Sequence, residues 1–432
     1  MGNVTNATSL PSITIIAPCL FIAVTVCSSA GTVFDSLTAV HDVPPFLAAF
    51  WRLFVQNIIQ FIPFVLSLRQ AWRQDEEQRM MQHWTNDGGL ALTLNIDDDE
   101  NDNDDKDERR QNVSGLNQST NSDDGLVLPK YIKSIPLLFL SGVALGSHFS
   151  FWVYSLRYTS ITHSLLWVSM GPIVLNFGSW TLYLTGKILL ALSFSSFSTM
   201  IAVKRPSWFE TFGAVVGISG AIIMLLDIRS LESGSNSSPS NTSTIGQNYT
   251  NHPPSVHGDI AAFLGAVAVC FYLVIGNKLR SWLSIWLYVF PVIGFASLTC
   301  LIFALLDSKS PCTWTGLSNA SVFGFISKDY FLYVLYLGVG PGILGHTMLS
   351  TLLKYISPLI VSTAMLFEPV MGSGIGYVFG LQPMPGLLTW IGGVVLLCGL
   401  ILVIVGENEQ HEDEAEEKES IASQEINYGS IK

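Results

Sequence analysis

Charge is what this sequence has least of. Only 12% of its 432 residues are Asp, Glu, Lys or Arg, about half the roughly 25% of a soluble globular domain. Hydrophobic residues make up 49% and the mean hydropathy is +0.44, which excludes an ordinary soluble fold. Cysteine offers no scaffold: Cys19, Cys27, Cys270, Cys300 and Cys398 fall inside apolar runs and only Cys312 in a hydrophilic stretch. Neither a disulfide framework nor zinc-ligand spacing is therefore available. A Walker A sequence, a His-x-x-Glu-His cluster and a Gly-x-Ser-x-Gly elbow are all missing, so no nucleotide hydrolysis, hydrolase chemistry, cofactor or metal is expected. The N-terminus, MGNVTNATSLPS, lacks the basic region of a cleaved signal peptide, and the first apolar run is expected to stay as a helix.

The net charge of −12 is not spread over the molecule. Residues 97–124 hold eleven acids against Lys106, Arg109 and Arg110, and residues 407–425 hold nine against Lys418. Removing both segments leaves the remainder at +4. Blocks of like charge nearly free of aromatic residues bury too little apolar surface to order themselves, so both are expected to be disordered. Nucleic acid is not expected as a partner for surfaces of that sign.

What the chain does have is apolar runs long enough to span a bilayer, for which about 20 residues are needed. They cover residues 13–37, 45–68, 135–156, 161–184, 211–226, 260–276, 282–306, 331–353, 356–381 and 384–405. Ten transmembrane helices are expected in an all-α polytopic protein. With the N-terminus inside, the cytoplasmic flanks hold Arg69, Arg73, Arg79, Lys130, Lys133, Lys187, Lys204, Arg205, Lys278, Arg280 and Lys354. The other side receives only Arg157, Arg229, Lys309 and Lys328. The positive-inside rule then places both termini, the acidic loop 69–130, expected to be disordered throughout, and the tail 406–432 in the cytosol. Asn-x-Ser/Thr sites at Asn236, Asn241 and Asn248 in the loop 228–257, and at Asn319 in the loop 307–328, fall on the lumenal or extracellular side and are candidate glycosylation sites. Those at Asn3, Asn6, Asn112 and Asn117 would be cytosolic and unused.

The chain also repeats itself. Leu156-Arg157-Tyr158-x-Ser160 followed by Pro172 matches Leu353-Lys354-Tyr355-x-Ser357 followed by Pro369, at an offset of 197. Gly213, Val215, Val216, Gly220 and Ile222 match Gly392, Val394, Val395, Gly399 and Ile401 at an offset of 179. The difference of 18 equals the length of a short Ser-rich apolar segment at 186–203, which is read as an insertion that extends the fourth helix or lies at the interface. Two five-helix repeats, 13–68 with 131–227 and then 258–405, must sit in opposite orientations, an architecture common in transporters.

Several motifs carry a resemblance. The ten helices in two halves, Leu156-Arg157-Tyr158-Thr159-Ser160 leading to Gly171-Pro172, Phe367-Glu368-Pro369-Val370, and Pro45 followed by Arg52 look like the EamA-like branch of the drug/metabolite transporter superfamily. The resemblance covers roughly residues 13–68 and 131–405 less the insertion, and not the acidic loop or the tail. It implies two four-helix groups enclosing a central cavity, with the fifth and tenth helices at the periphery.

Ionisable and polar residues inside lipid are costly and mark candidate function. Glu368 sits midway along an otherwise uncharged run, as a proton acceptor, a partner for a cationic group, or a structural carboxylate. Arg52, Gln56 and Gln60 recur every four residues and share one helical face, which fits a cavity stripe; Arg52 alone would also fit snorkelling to the interface. His148 and His346 stand ten and nine residues before Tyr158 and Tyr355, either as a repeat-related pair on the axis or as packing residues. Trp152, on the His148 face, and Trp167 are candidates for stacking on substrate or for packing. The C-terminal Tyr428-Gly429-Ser430-Ile431 resembles a tyrosine-based sorting signal read by adaptor complexes. The reading that results is a secondary transporter of a small organic metabolite, working by alternating access and coupled to protons through Glu368, in a eukaryotic endomembrane or plasma membrane. A nucleotide-sugar antiporter and a non-transporting scaffold or receptor with acidic binding tails are the alternatives.

Overall fold

The computed structural model describes residues 13–84, 126–159, 164, 167–191, 206–234, 255–308, 312–368, 371 and 387–429. Among these the chain is helical, with one isolated bridge between Thr313 and Ser321. The helices are α1 (Ile13–Ser28), α2 (Ala30–Asp35), α3 (Pro45–Trp84), α4 (Val127–Lys133), α5 (Ile135–Tyr158), α6 (Gly171–Ala191), α7 (Trp208–Gly234), α8 (Val256–Arg280), α9 (Ile285–Leu306), α10 (Phe331–Leu337), α11 (Met348–Leu352), α12 (Pro358–Met365) and α13 (Leu387–Gly429). A π-helical segment, Gly338–Thr347, joins α10 to α11. Among the described residues six stretches are long and apolar enough to cross a membrane: Pro45–Gln82, Ile135–Tyr158, Val256–Arg280, Ile285–Leu306, Phe331–Leu352 and Trp390–Gln410. Their outward faces carry exposed Ile62, Phe139, Phe271, Ile302, Leu332 and Val394, the all-round apolarity of helices that meet lipid.

Two helices run well past the bilayer. At 1.5 Å per residue, α3 with 40 residues and α13 with 43 reach about 60 Å, twice the roughly 30 Å hydrocarbon core. This corrects the expectation of disorder at 69–84 and 127–130. Asp75, buried on the extension of α3, accepts hydrogen bonds from the backbone N–H groups of Val127 and Leu128, both at 2.8 Å. A carboxylate there satisfies the free donors and dipole of the α4 N-terminus, and Lys130 lies over the Trp282 ring at 4.4 Å. Residues 85–125, the acidic block among them, lie outside the described residues, as do 192–203 of the inserted segment. The tail is likewise helical through Gly429, because residues 407–428 hold eight Glu, a good helix former, and contain neither Gly nor Pro.

Helix ends gather into two rims. At one, Arg157 meets Asp42 at 3.8 Å, Thr159 Oγ1 donates to Asp259 at 2.7 Å and Trp51 Nε1 donates to the Val322 carbonyl at 3.0 Å. At the other, Ser357 Oγ donates to Glu407, Gln410 Nε2 donates to Glu210 at 3.3 Å and Asn277 Nδ2 donates to the Leu353 carbonyl at 2.7 Å. The first rim holds only ends assigned above to the outside, the second only ends assigned to the cytosol.

In the interior α5 packs on α8 and α9, α3 on α9, and α1 on the π segment, while α7 lies along α13. Glycine sets the last crossing: a Cβ on Gly213 would lie 2.7 Å from the Gly399 carbonyl oxygen, and one on Gly220 would lie 2.6 Å from that of Gly392. Gly220→Leu is therefore expected to cost about 1–3 kcal/mol, as overpacking does, read as a lower melting temperature of the purified protein. Gly178→Ala, where a Cβ meets nothing within 4 Å, should stay within about 0.5 kcal/mol of the parent.

Candidate functional site

The site begins with a helix that cannot stay regular. Gly338, Gly340, Pro341, Gly342 and Gly345 fall within ten residues; proline lacks the N–H that an α-helix needs and glycine has no side chain to hold the turn. The chain relaxes into π geometry, common at functional sites. Carbonyls freed inside a membrane must find protein partners, and they do. Gln56 Nε2 donates to the Gly342 carbonyl at 3.0 Å, Thr347 Oγ1 donates to the same oxygen at 3.2 Å, and Gln60 Nε2 donates to Thr347 Oγ1 at 2.8 Å. Cys27 Sγ on α1 points at the Pro341 carbonyl at 4.0 Å.

The stripe on α3 thus divides. Gln56 and Gln60, each 1% exposed, do not line the cavity; they hold the π segment. Arg52, one turn nearer the N-terminal end of α3, does line it, together with His148, Trp152, His346 and Glu368. The structure accordingly brings five of the eight residues singled out from the sequence to one cavity of about 60 Å³. That is below the roughly 300 Å³ at which pockets for drug-sized ligands begin, so the site in this state suits a solute smaller than a drug. Trp167 is not in the lining and instead packs edge-on against Phe263, with ring centroids 5.9 Å apart.

Within the cavity, Arg52 is 1% exposed and its guanidinium is stacked, not paired. Its central carbon lies 4.3 Å from the Phe149 ring centroid and 5.7 Å from that of Phe34. This refutes snorkelling to the interface. No ion pair or hydrogen bond joins Arg52 to Glu368 among the described residues, although both line the same cavity. His148 Nδ1 hydrogen-bonds the Gly265 carbonyl at 3.0 Å and its ring lies parallel to that of Trp152. His346 meets Phe149 edge-on at 5.1 Å. Phe34, Phe149 and Cys27 were missed by sequence reasoning. The adjacency of Phe149 to His148 was a usable signal; nothing marked Phe34.

Asn319 Nδ2 donates to the Asp42 carbonyl at 3.0 Å, and the hydroxyl of Ser321 is buried on the Gly316 carbonyl. Asn236, Asn241, Asn248 and Ile431 lie outside the described residues, and Tyr428 falls in the last turn of α13.

Residues 256–405 match the EamA-like transporter family, a stretch running from the start of α8 through the membrane part of α13. No curated protein is similar to the chain at a significant level. A crystal structure described only as that of a protein is 16% identical, aligns over 91% of this chain and 98% of its own, and superposes with a TM-score of 0.51; at that identity the likeness concerns the fold alone.

Thr347→Val, which strips Gln60 of its acceptor and Gly342 of a donor, is expected to destabilise the protein by about 1–3 kcal/mol in denaturant or thermal melts. Trp167→Phe, which keeps the ring packed on Phe263, should change it by less than about 1 kcal/mol.

Proposed function

With residues 256–405 belonging to the EamA-like transporter family of the drug/metabolite transporter superfamily, we propose that this integral membrane protein is a secondary transporter of a small organic metabolite, built from ten helices in two inverted five-helix repeats. The observation that carries the proposal is the meeting of Arg52, His148, His346 and Glu368, drawn from both halves of the chain, at one buried cavity. A fixed midplane site at a repeat interface is what alternating access requires. Helix pairing supports the repeat: exchanging the halves turns α5 on α8 into the α10–α11 helix on α1, and leaves α3 on α9 and α7 on α13 unchanged. The glycine crossing obeys the same exchange. Gly213 is equivalent in sequence to Gly392 and Gly220 to Gly399, yet Gly213 packs on Gly399 and Gly220 on Gly392.

Glu368 is the proton-coupling group in this reading, since a carboxyl group in a cavity that opens alternately to each side can load and release a proton. In proteoliposomes an imposed proton gradient is expected to drive uptake by the wild type, and Glu368→Gln to abolish that response while leaving exchange of substrate across the membrane intact. A Glu368→Gln variant that still followed the gradient would remove Glu368 from the coupling step.

The cytosolic placement of both termini and of the acidic segments is part of the same reading, as is recognition of Tyr428 and Ile431 by adaptor complexes at the end of α13. Glycosidase treatment is expected to lower the apparent mass of protein made in eukaryotic cells. The triple substitution Asn236→Gln, Asn241→Gln and Asn248→Gln should abolish that shift; a glycan at Asn112 or Asn117 instead would invert the topology.

A further inference from the structure

The cavity offers donors that nothing among the described residues accepts. Arg52 Nε, Nη1 and Nη2 and Trp152 Nε1 are all buried without a hydrogen-bond partner. Native proteins leave few such groups, and each calls for an explanation such as a ligand or ordered water. Most of this deficit belongs to one cation, and a guanidinium removed from water without a counter-charge is among the most costly groups to bury. Glu368 is the single carboxylate lining the cavity among the described residues, and no hydrogen bond or ion pair joins it to Arg52.

The geometry also says how a ligand would approach. Phe149 and Phe34 lie against the guanidinium at 4.3 and 5.7 Å, and among the described residues its three nitrogens make no hydrogen bond. Those edges form the planar fork that matches a carboxylate with two parallel N–H···O bonds. Trp152 stands in the same aromatic cluster, 5.9 Å from Phe34 between ring centroids, and its indole N–H adds a second free donor. One arginine supplies one charge, which suits a monoanion better than a phosphate dianion. Besides the polar side chains of His148, Ser169, His346, Ser362 and Glu368, the lining is apolar, with Val168, Leu273 and Met365 able to take a short hydrocarbon part.

We infer that the site recognises the carboxylate of a small organic monoanion, held by the in-plane N–H groups of Arg52 with Trp152 Nε1 as a further donor. The inference rests on the transporter reading only in making this ligand the cargo.

The test uses the purified full-length protein in lipid nanodiscs and matched probes: butyrate and benzoate, their amides butyramide and benzamide, and butylammonium. Thermal stabilisation is expected from the carboxylates, with the amides binding about tenfold or more weaker, the factor carried by one charge-assisted hydrogen bond, and none from butylammonium. Arg52→Gln should abolish the carboxylate response and Arg52→Lys, which keeps the charge but not the fork, should weaken it. Trp152→Phe should weaken it severalfold and guards against an Arg52 variant that does not fold. Equal binding of amides, preference for the cation, no response to either carboxylate, or full carboxylate binding by Arg52→Gln would each overturn the inference. Counterflow of labelled butyrate in proteoliposomes separates the two proposals. Carboxylate binding without uptake leaves the site standing and removes the transport reading, whereas uptake of neutral solutes without carboxylate binding does the reverse.

Discussion

Inside a bilayer there is no water to satisfy a backbone carbonyl or amide, so every departure from a regular helix has to be repaired by another part of the protein. The break at Gly338–Thr347 sets this requirement at the centre of the molecule, and the repair organises what surrounds it. Gln56 and Gln60 bind α3 to the π segment through Gly342 and Thr347, and Cys27 brings α1 against Pro341. The same packing fixes the height of Arg52, one turn along α3, and presents His346 from the end of the π segment to the cavity. A polar repair thus doubles as the frame of the site.

Glycine works in the opposite direction, by removing side chains where helices must touch. Gly142 and Gly146 let α9 approach α5, and a Cβ on Gly342 would lie 2.8 Å from Gln56 Oε1. In lipid, where apolar surface gains nothing by leaving its surroundings, such close backbone contact and the hydrogen bonds it permits are what hold helices together. The α7–α13 pair is the extreme case, with its glycines in backbone contact across the crossing.

Arg52 and Glu368 show how chemistry is stored in such a frame. Each is expensive to bury, and direct pairing would relieve both. The structure instead sets Arg52 against two phenylalanine rings and leaves its nitrogens without hydrogen-bond partners among the described residues. Cation–π contact recovers part of the lost hydration, and what remains unsatisfied is a preorganised affinity for something carrying acceptors.

The sequence by itself determined the membrane class, most of the helical spans, and the residues that meet at the cavity. The cost of polar groups in lipid makes Arg52, His148, His346 and Glu368 conspicuous in apolar runs, and the 3.6-residue period gives helix faces. Other facts were decided only by tertiary structure. Spacing put Gln56 and Gln60 on the face of Arg52, but the depth of the irregular segment opposite decided that they bind carbonyls and do not line the cavity. Trp167 turned to Phe263, and Asp75 carried α3 on past residue 68 by capping a helix more than fifty residues away in the chain. Hydropathy and period describe how one segment meets its solvent; which donor meets which acceptor between segments depends on crossing angles and register, which exist only once the helices are packed.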